Sequence, residues 1–172
     1  MGNSLDDVVT AAIELLDVWG LEFFSMRRLA SELGVQPSAL YHHVANKQEL
    51  LGLMAGRIVA DVVIDDDVLA SCHRLRVALL GVRDGAEVVA TASAFRIGVS
   101  QLEDALTAVT STDVARTVLI YVLGHTEATQ LHRQASQVGA ISTDPDWEES
   151  FERGLELILA GAERLRPALP VG

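Results

Sequence analysis

Apolar residues recur along most of the chain at intervals of three and four, which predicts an all-helical fold. We expect two short helices between Ser25 and Val44, and seven more at about Leu5–Trp19, Lys47–Val63, Val68–Val82, Ala86–Thr91, Ser100–Val109, Asp113–Gln137 and Pro145–Leu165. Side chains that can accept from free helical N–H groups mark the starts: Ser4 with Asp7, Ser25, Asn46 with Glu49, one of Asp65–Asp67, Ser111 or Thr112, and Asp144. Pro167 and Pro170 are expected to stop the last helix.

The segment from Phe24 to Leu50 has the pattern of a helix-turn-helix. Leu29, Ala30 and Leu33 form one apolar face of its first helix, and Gly34 can end that helix at a positive φ. Pro37 suits the first turn of the next helix, where its missing N–H is not needed. Leu40 and Val44 then point inward, which leaves an outer face made of Ser38, Ala39, Tyr41, His42 and His43. A second helix of this kind can enter the major groove of DNA with its N-terminal residues leading.

The motifs LASELGV, LYHHV and NK in this segment resemble the DNA-binding domain of the TetR family of bacterial repressors, over roughly Leu5–Val63. RDGAEV, which begins at Arg83, and FERGLELILAGAERL, which begins at Phe151, are similar to the core domain of the tetracycline repressor subgroup. The resemblance implies a three-helix DNA-binding domain over residues 1–46. It also implies a helical domain over residues 47–172 that dimerises and binds a small effector. A repressor of this kind binds a palindromic operator as a homodimer, and its effector releases it.

The resemblance also suggests which side chains face DNA: Arg27, Arg28, Gln36, Pro37, Ser38, Ala39, Tyr41, His42, His43 and Lys47. Those from Gln36 to Ala39 match positions that touch bases. Tyr41, His43 and Lys47 match positions that contact the phosphate backbone. Arg27 could reach a phosphate or a guanine edge, whereas Arg28 is expected to be solvated or near a phosphate.

The effector is not expected to be magnesium–tetracycline. Tetracycline repressors carry a metal-binding histidine where this chain has Val89, and a threonine where it has Ala92. Their pocket asparagine and phenylalanine match Ser71 and Leu75. With those groups absent, a pocket lined by Leu75, Leu79, Val89 and the long-helix residues Tyr121 and His125 would be mostly apolar. We expect it to bind a small hydrophobic effector or to be filled by side chains.

The last helix carries a seam with the 3.5-residue period that suits packing along another helix. Its members are Trp147, Phe151, Gly154, Ile158, Gly161 and Leu165, and the long helix offers a partner stripe that includes Val118, Tyr121 and Ala128. On the pattern alone, these stripes could form a dimer interface or fill the core of one chain. The family resemblance favours the four-helix dimer interface.

Charge is distributed unevenly along the chain, whose net charge is -11. Ser25–Lys47 contains three basic residues and one acid, whereas residues 61–172 contain 9 basic and 17 acidic residues. The acidic charge therefore belongs mainly to the second domain. Few basic residues near the DNA imply few phosphate contacts and a shallow dependence of binding on salt.

Other classes of function find little support in the residues. No nucleophile–base pair, phosphate loop or metal cluster stands at motif spacing, so we expect neither an enzyme nor a cofactor or metal site. His125 and His132 are seven apart, wider than the spacing usual for a helical metal pair. Cys72 has no partner for a disulfide, and no signal peptide or membrane span is evident, so we expect a cytoplasmic protein that does not bind membranes. A helical interaction module that has lost DNA binding stays as the alternative, with a helical enzyme a less favoured one.

Overall fold

The computed structural model describes residues 3–95, 97, 100–142 and 145–165, and every regular element within them is an α-helix. The helices are α1 (Leu5–Trp19), α2 (Met26–Glu32), α3 (Pro37–Leu40), α4 (Lys47–Ile58), α5 (Val68–Leu80), α6 (Gly85–Ala94), α7 (Ser100–Val109), α8 (Thr112–Gln137) and α9 (Trp147–Leu165). The all-helical prediction is confirmed.

Local capping fixes the starts of α1 and α4. The Ser4 hydroxyl accepts from the Asp7 N–H at 3.1 Å, and the Asp7 carboxylate accepts from the Ser4 N–H at 2.7 Å, which closes a capping box. Asn46 caps α4 by accepting from the Glu49 N–H at 2.8 Å. The reciprocal bond differs from the expected one, because the Glu49 carboxylate accepts from the N–H of Ala45 instead of Asn46.

Several helix boundaries differ from those predicted, including the end of α5 at Leu80 rather than Val82. Helix α4 ends at Ile58 rather than Val63. After Ile58 the chain forms tighter turns, such as the one closed by the hydrogen bond from the Val62 N–H to the Val59 carbonyl. Helix α9 begins at Trp147, because the Asp146 carboxylate accepts from the Glu149 N–H at 2.8 Å and so caps the helix. Helix α6 is longer than expected and runs from Gly85 to Ala94. The predicted cap at Asp144 and the stops at Pro167 and Pro170 lie outside the described residues.

Helix α8 forms the axis of the larger, C-terminal unit and packs against α5, α6, α7 and α9. Its buried face is apolar up to Leu123 and then becomes polar, with Thr126, Thr129 and Gln130. The Gln130 amide donates to the carbonyls of Leu79 and Val82 at 3.1 and 2.8 Å, and its oxygen accepts from the Ala86 N–H. The polar part of α8 thus satisfies backbone groups at the end of α5 and the start of α6.

The turn between α5 and α6 connects this unit to the N-terminal helices. Asp84 adopts a left-handed conformation with φ 55°. One of its carboxylate oxygens accepts from the Leu21 N–H at 2.8 Å, and the other accepts from the Gln134 amide at 2.5 Å. The neighbouring Arg83 N–H donates to the Asp17 carboxylate at 2.7 Å. Residues of α1, the α5–α6 turn and α8 are therefore joined in one polar network.

Helices α8 and α9 pack against each other through Tyr121, Phe151 and Gly154, three of the residues predicted to form the dimer seam. The ring of Tyr121 stacks on Phe151 with centroids 5.7 Å apart, and its hydroxyl lies 3.1 Å from the Ser150 and Phe151 carbonyls. A β-carbon at Gly154 would overlap this hydroxyl. Val118 and Phe151 are fully buried within the chain, so the prediction that they present a dimer surface is wrong. The apolar spacing of these two helices is therefore explained by their packing against each other within one chain.

A buried arginine ties α5 to α8 and α9. The Arg76 side chain is 1% exposed, pairs with the Glu148 carboxylate at 2.8 Å and lies 4.4 Å from the centre of the Phe151 ring. Thr129 accepts a further bond at 3.4 Å. The hydrogen bonds from Arg76 hold the pKa of Glu148 below its ordinary value. Pairing and the ring contact offset the cost of burying this charge.

Candidate functional site

The turn between α2 and α3 has the geometry that its sequence predicts. The Ser25 hydroxyl accepts from the Arg28 N–H at 3.2 Å and caps α2. Gly34 has φ 65°, and the Val35 N–H then closes the turn on the Ala30 carbonyl at 2.9 Å. Since glycine adopts this conformation without strain, the chain can reverse within a few residues.

Helix α3 is short and is held by its inner residues. Leu40 and Val44 are 1% and 2% exposed, and both belong to the core shared with α1, α2 and α4. The outer side chains predicted to face DNA are exposed at Gln36, Pro37, Ser38, Tyr41, His42 and His43, and Ala39 is half-buried. The structure therefore brings this predicted set together on one accessible face.

The three basic residues near this face differ in their surroundings. Arg27 is exposed, and no hydrogen bond or ion pair engages its side chain within the described residues. The Arg28 guanidinium lies 4.3 Å from the centre of the Trp19 ring and donates to the Phe23 carbonyl. The half-buried Lys47 ammonium donates to the Phe24 carbonyl at 3.0 Å. Arg28 and Lys47 thus also stabilise the link between α1 and α2, a role the sequence pattern did not reveal.

The residues predicted to line an effector pocket lie mostly in the packed core. Leu75, Leu79, Val89 and Ala92 are each no more than 2% exposed. Ser71 is also buried, and its hydroxyl lies within hydrogen-bonding distance of Asp65 and Arg74 at the edge of α5. At these positions side chains fill the space, which is one of the two outcomes expected from the sequence.

Tyr121 and His125, also predicted for the pocket, belong to an aromatic cluster between α8 and α9. The His125 ring contacts Tyr121, Trp147 and Phe151 with centroids 5.3 to 5.5 Å apart, and its Nε2 lies 3.2 Å from the Ser150 hydroxyl. Burial, followed by the charge of Arg76, lowers the pKa of His125 from its ordinary 6.5. The cluster therefore favours the neutral imidazole.

Two cavities in the described part of the chain lie away from the predicted pocket. The larger, here called the distal cavity, has a volume of about 780 Å³ and lies where the start of α5, the α7–α8 junction and the end of α9 meet. Its apolar lining includes Val68, Leu69, Val109, Val114, Leu159 and Ala162, and its acidic lining is Asp66, Asp67, Asp113 and Glu163. The smaller, of about 270 Å³, lies between the end of α4 and α7 and is lined by residues such as Val59, Ile64 and Leu102.

Sequence reasoning missed Arg76, Asp84 and the distal cavity. Arg76 stands within the apolar α5 sequence LRVALL, and an arginine at a core position was the available signal. Asp84 precedes Gly85, and this dipeptide indicates only a break between two helices. The cavity joins three segments that are far apart in the chain, 66–69, 109–114 and 159–165, which no local pattern relates.

Among the described residues, no group of three or more His, Cys, Asp or Glu side chains could hold a metal ion. No described helix is long and apolar enough to cross a membrane. The thiol of Cys72 is buried, which raises its pKa to about 12 and disfavours the reactive thiolate.

Comparisons with known proteins agree with this architecture. Residues 8–54 match the family described as "Bacterial regulatory proteins, tetR family". The chain is 30% identical to the tetracycline repressor protein class C of Escherichia coli, over 92% of this chain and 90% of the relative.

Solved structures extend the similarity to the whole fold. The chain is 39% identical to BioQ of Mycobacterium smegmatis with a TM-score of 0.84, over 94% of this chain and 98% of that one. It is 38% identical to BioQ solved with its double-stranded DNA operator, with a TM-score of 0.77, over 93% and 98% of the two chains. The chain therefore belongs to the TetR family and is a transcriptional regulator with an N-terminal DNA-binding domain, not an enzyme.

Proposed function

We propose that the protein binds a palindromic operator as a homodimer, represses transcription there and is released by a small, mostly hydrophobic effector. The observation that carries this proposal is the exposed outer face of α3, held on the buried Leu40 and Val44. A similar chain, BioQ, has been solved with its DNA operator, which supports the same role here. Residues 1–46 would form the DNA-binding domain, and residues 47–172 the effector-binding and dimerisation domain.

Base reading would fall to the start of α3. The accessible side chains there are those of Gln36, Pro37, Ser38 and Ala39. They would distinguish bases by close fit and by contact with the thymine methyl group. These contacts need the helix to enter the major groove with its first turn leading.

Phosphate contacts would fix the register. Arg27 is exposed and unengaged among the described residues, and Tyr41, His42 and His43 are also exposed. Arg28 and Lys47 already bind backbone carbonyls, so only their remaining N–H groups are available to phosphates. Because few basic side chains face the DNA, the affinity for DNA would fall less steeply with salt than it does for strongly basic regulators.

The dimer would use the outward faces of α8 and α9 rather than their mutual contact. Ile120 and Leu131 on α8 are 66% and 56% exposed, and Leu157 on α9 is 71% exposed. Gly124 and Gly161 stand near them on these helices, and a β-carbon at either would meet nothing within 4 Å. Such apolar faces are expected to pair with a second copy of the chain as a four-helix interface. From the predicted set, Ala128, Ile158, Gly161 and Leu165 stay candidates for its edge.

The proposal is tested by titrating labelled DNA from upstream of the gene and measuring fluorescence anisotropy at several salt concentrations. Specific, saturable binding is expected. Arg27→Ala should weaken it and reduce the slope of log affinity against log salt by about 1, because one phosphate contact is lost. Tyr41→Ala should weaken binding several-fold. Arg153→Ala, an equal change in charge on the distant α9, serves as the matched control.

If genome-wide selection of fragments yields no site bound above the non-specific level, the operator proposal fails. The protein would then be a helical interaction module of the same fold. Release is tested separately, by adding candidate effectors to the protein–DNA complex; magnesium–tetracycline is expected to leave the complex intact.

A further inference from the structure

We propose that the distal cavity is a binding site for an amphipathic organic cation, a small molecule with a positive charge on an apolar body. A role for this molecule as the effector rests on the proposed function, but its binding does not. The cavity volume of about 780 Å³ falls within the range of small-molecule sites, and the ends of four helices and the α7–α8 junction supply its walls.

Its interior offers apolar surface that the chain leaves uncovered. Val68, Val109, Val114 and Leu159 line it and are only half-buried, and Leu69 is 37% exposed. These residues come from α5, α7, α8 and α9, so the apolar surface is concave and shared. Covering it with an apolar body would remove this apolar surface from water, which is favourable.

The charge of the lining decides the class of ligand. Every ionisable group among the described residues that line the cavity is a carboxylate: Asp66, Asp67, Asp113 and Glu163. Asp67 is occupied as the cap of α5, where it accepts from the Ala70 N–H at 2.9 Å. The other three carboxylates have no cationic partner among the described residues. A bound cation would neutralise this acidic rim, whereas an anion of the same shape would be repelled.

The first experiment measures binding by calorimetry with the full chain and no DNA. The probes are tetraphenylphosphonium and tetraphenylborate, which have the same shape and opposite charge. The phosphonium is expected to bind at least about tenfold tighter, and its affinity should fall as salt is raised. Equal binding of both ions, or no binding of the cation, would overturn the proposal.

Matched variants locate the site. Asp66→Asn, Asp113→Asn and Glu163→Gln together should reduce phosphonium affinity about tenfold. The triple variant Asp61→Asn, Asp104→Asn and Glu152→Gln removes equal charge from exposed positions outside the cavity and should change affinity less than about twofold. An equal loss in both variants would show a general charge effect and would refute the site. If the phosphonium binds only after residues 166–172 are deleted, that segment competes for the cavity in the full chain. This result would also refute the proposal.

A second experiment, which measures cation binding to the protein–DNA complex, distinguishes this proposal from the proposed function. If operator DNA is bound and the cation is an effector, the cation must bind less tightly to the protein–DNA complex by the same factor by which it weakens operator binding. An unchanged affinity would refute the effector role and leave the binding site standing. Loss of operator binding alone would refute the proposed function without affecting calorimetry done in the absence of DNA.

Discussion

The carboxylate of Asp84 accepts a hydrogen bond from the backbone N–H of Leu21, 63 residues earlier in the chain, at 2.8 Å. Its other oxygen accepts from Gln134 near the end of α8. One side chain therefore links the loop after α1 to the longest helix. This contact joins the DNA-binding helices to the C-terminal unit, in addition to α4, which packs against both α1 and α6.

The first prediction concerns this link. Asp84→Gly removes both hydrogen bonds of the side chain. Because glycine adopts φ 55° without strain, the substitution adds no backbone strain of its own. We expect amides around Leu21 to exchange with solvent about tenfold faster, measured by hydrogen exchange and mass spectrometry, while α9 amides are unaffected. Asp84→Asn, which tolerates the same backbone and retains one acceptor oxygen, should show a smaller effect. Unchanged protection near Leu21 in the glycine variant would contradict the role assigned to Asp84.

The second prediction concerns the contact between Tyr121 and Gly154. Gly154→Ala forces the ring away from α9 and should lower the free energy of unfolding by about 1–3 kcal/mol, measured by denaturant titration. Gly161→Ala, on the same helix with nothing within 4 Å of the added carbon, should leave stability unchanged or raise it by up to about 1 kcal/mol. Adding Tyr121→Ala should remove most of the extra cost of Gly154→Ala, since the two residues are in contact. Strict additivity of the two changes would argue against this packing.

The third prediction concerns pH and His125. The folded chain holds the pKa of His125 below 6.5, so the unfolded chain binds more protons as the pH falls through that value. Stability should therefore decrease between pH 7.5 and pH 5. His125→Phe keeps a ring beside Tyr121 and Trp147 and should reduce this loss, whereas His42→Gln, at an exposed position, should not. Thermal unfolding at the two pH values measures the difference, and an equal loss in all three proteins would contradict the prediction.

The fourth prediction concerns assembly. Ile120→Glu and Leu157→Glu each place a charge on an apolar face proposed to be covered in the dimer, and burying that charge without a partner is costly. Sedimentation should show a dimer for the unmodified chain and monomers for these variants, whose operator affinity should fall at least about tenfold. Val77→Glu changes an equally exposed residue of α5 and should stay dimeric. A monomeric unmodified chain at tens of micromolar would refute the interface.

Local signals predicted the parts of this fold that local interactions determine. The capping box of Ser4 and Asp7 and the turn at Gly34 involve residues within a few positions of each other, and both were predicted correctly. The helix-turn-helix face followed from the same spacing, because inner and outer residues of a short helix are set by its period.

Spacing could not decide what covers an apolar stripe. Val118 and Phe151 have the period of a helix interface, and the pattern is the same whether the partner helix is in the same chain or in another copy. Arg76 escaped notice because arginine is rarely buried, and its partner Glu148 is 72 residues away. Contacts of this range depend on tertiary packing rather than on local pattern.

Helix α8 has one end at the distal cavity, through Asp113 and Val114, and the other at Asp84, through Gln134. Its 26 residues span about 39 Å, so it can act as a rigid lever. A tilt of about 5° around its midpoint would displace each end by roughly 1.7 Å, more than a hydrogen bond to Asp84 can tolerate. We therefore expect a change at the cavity end of α8 to reach the contact that joins its other end to the DNA-binding helices.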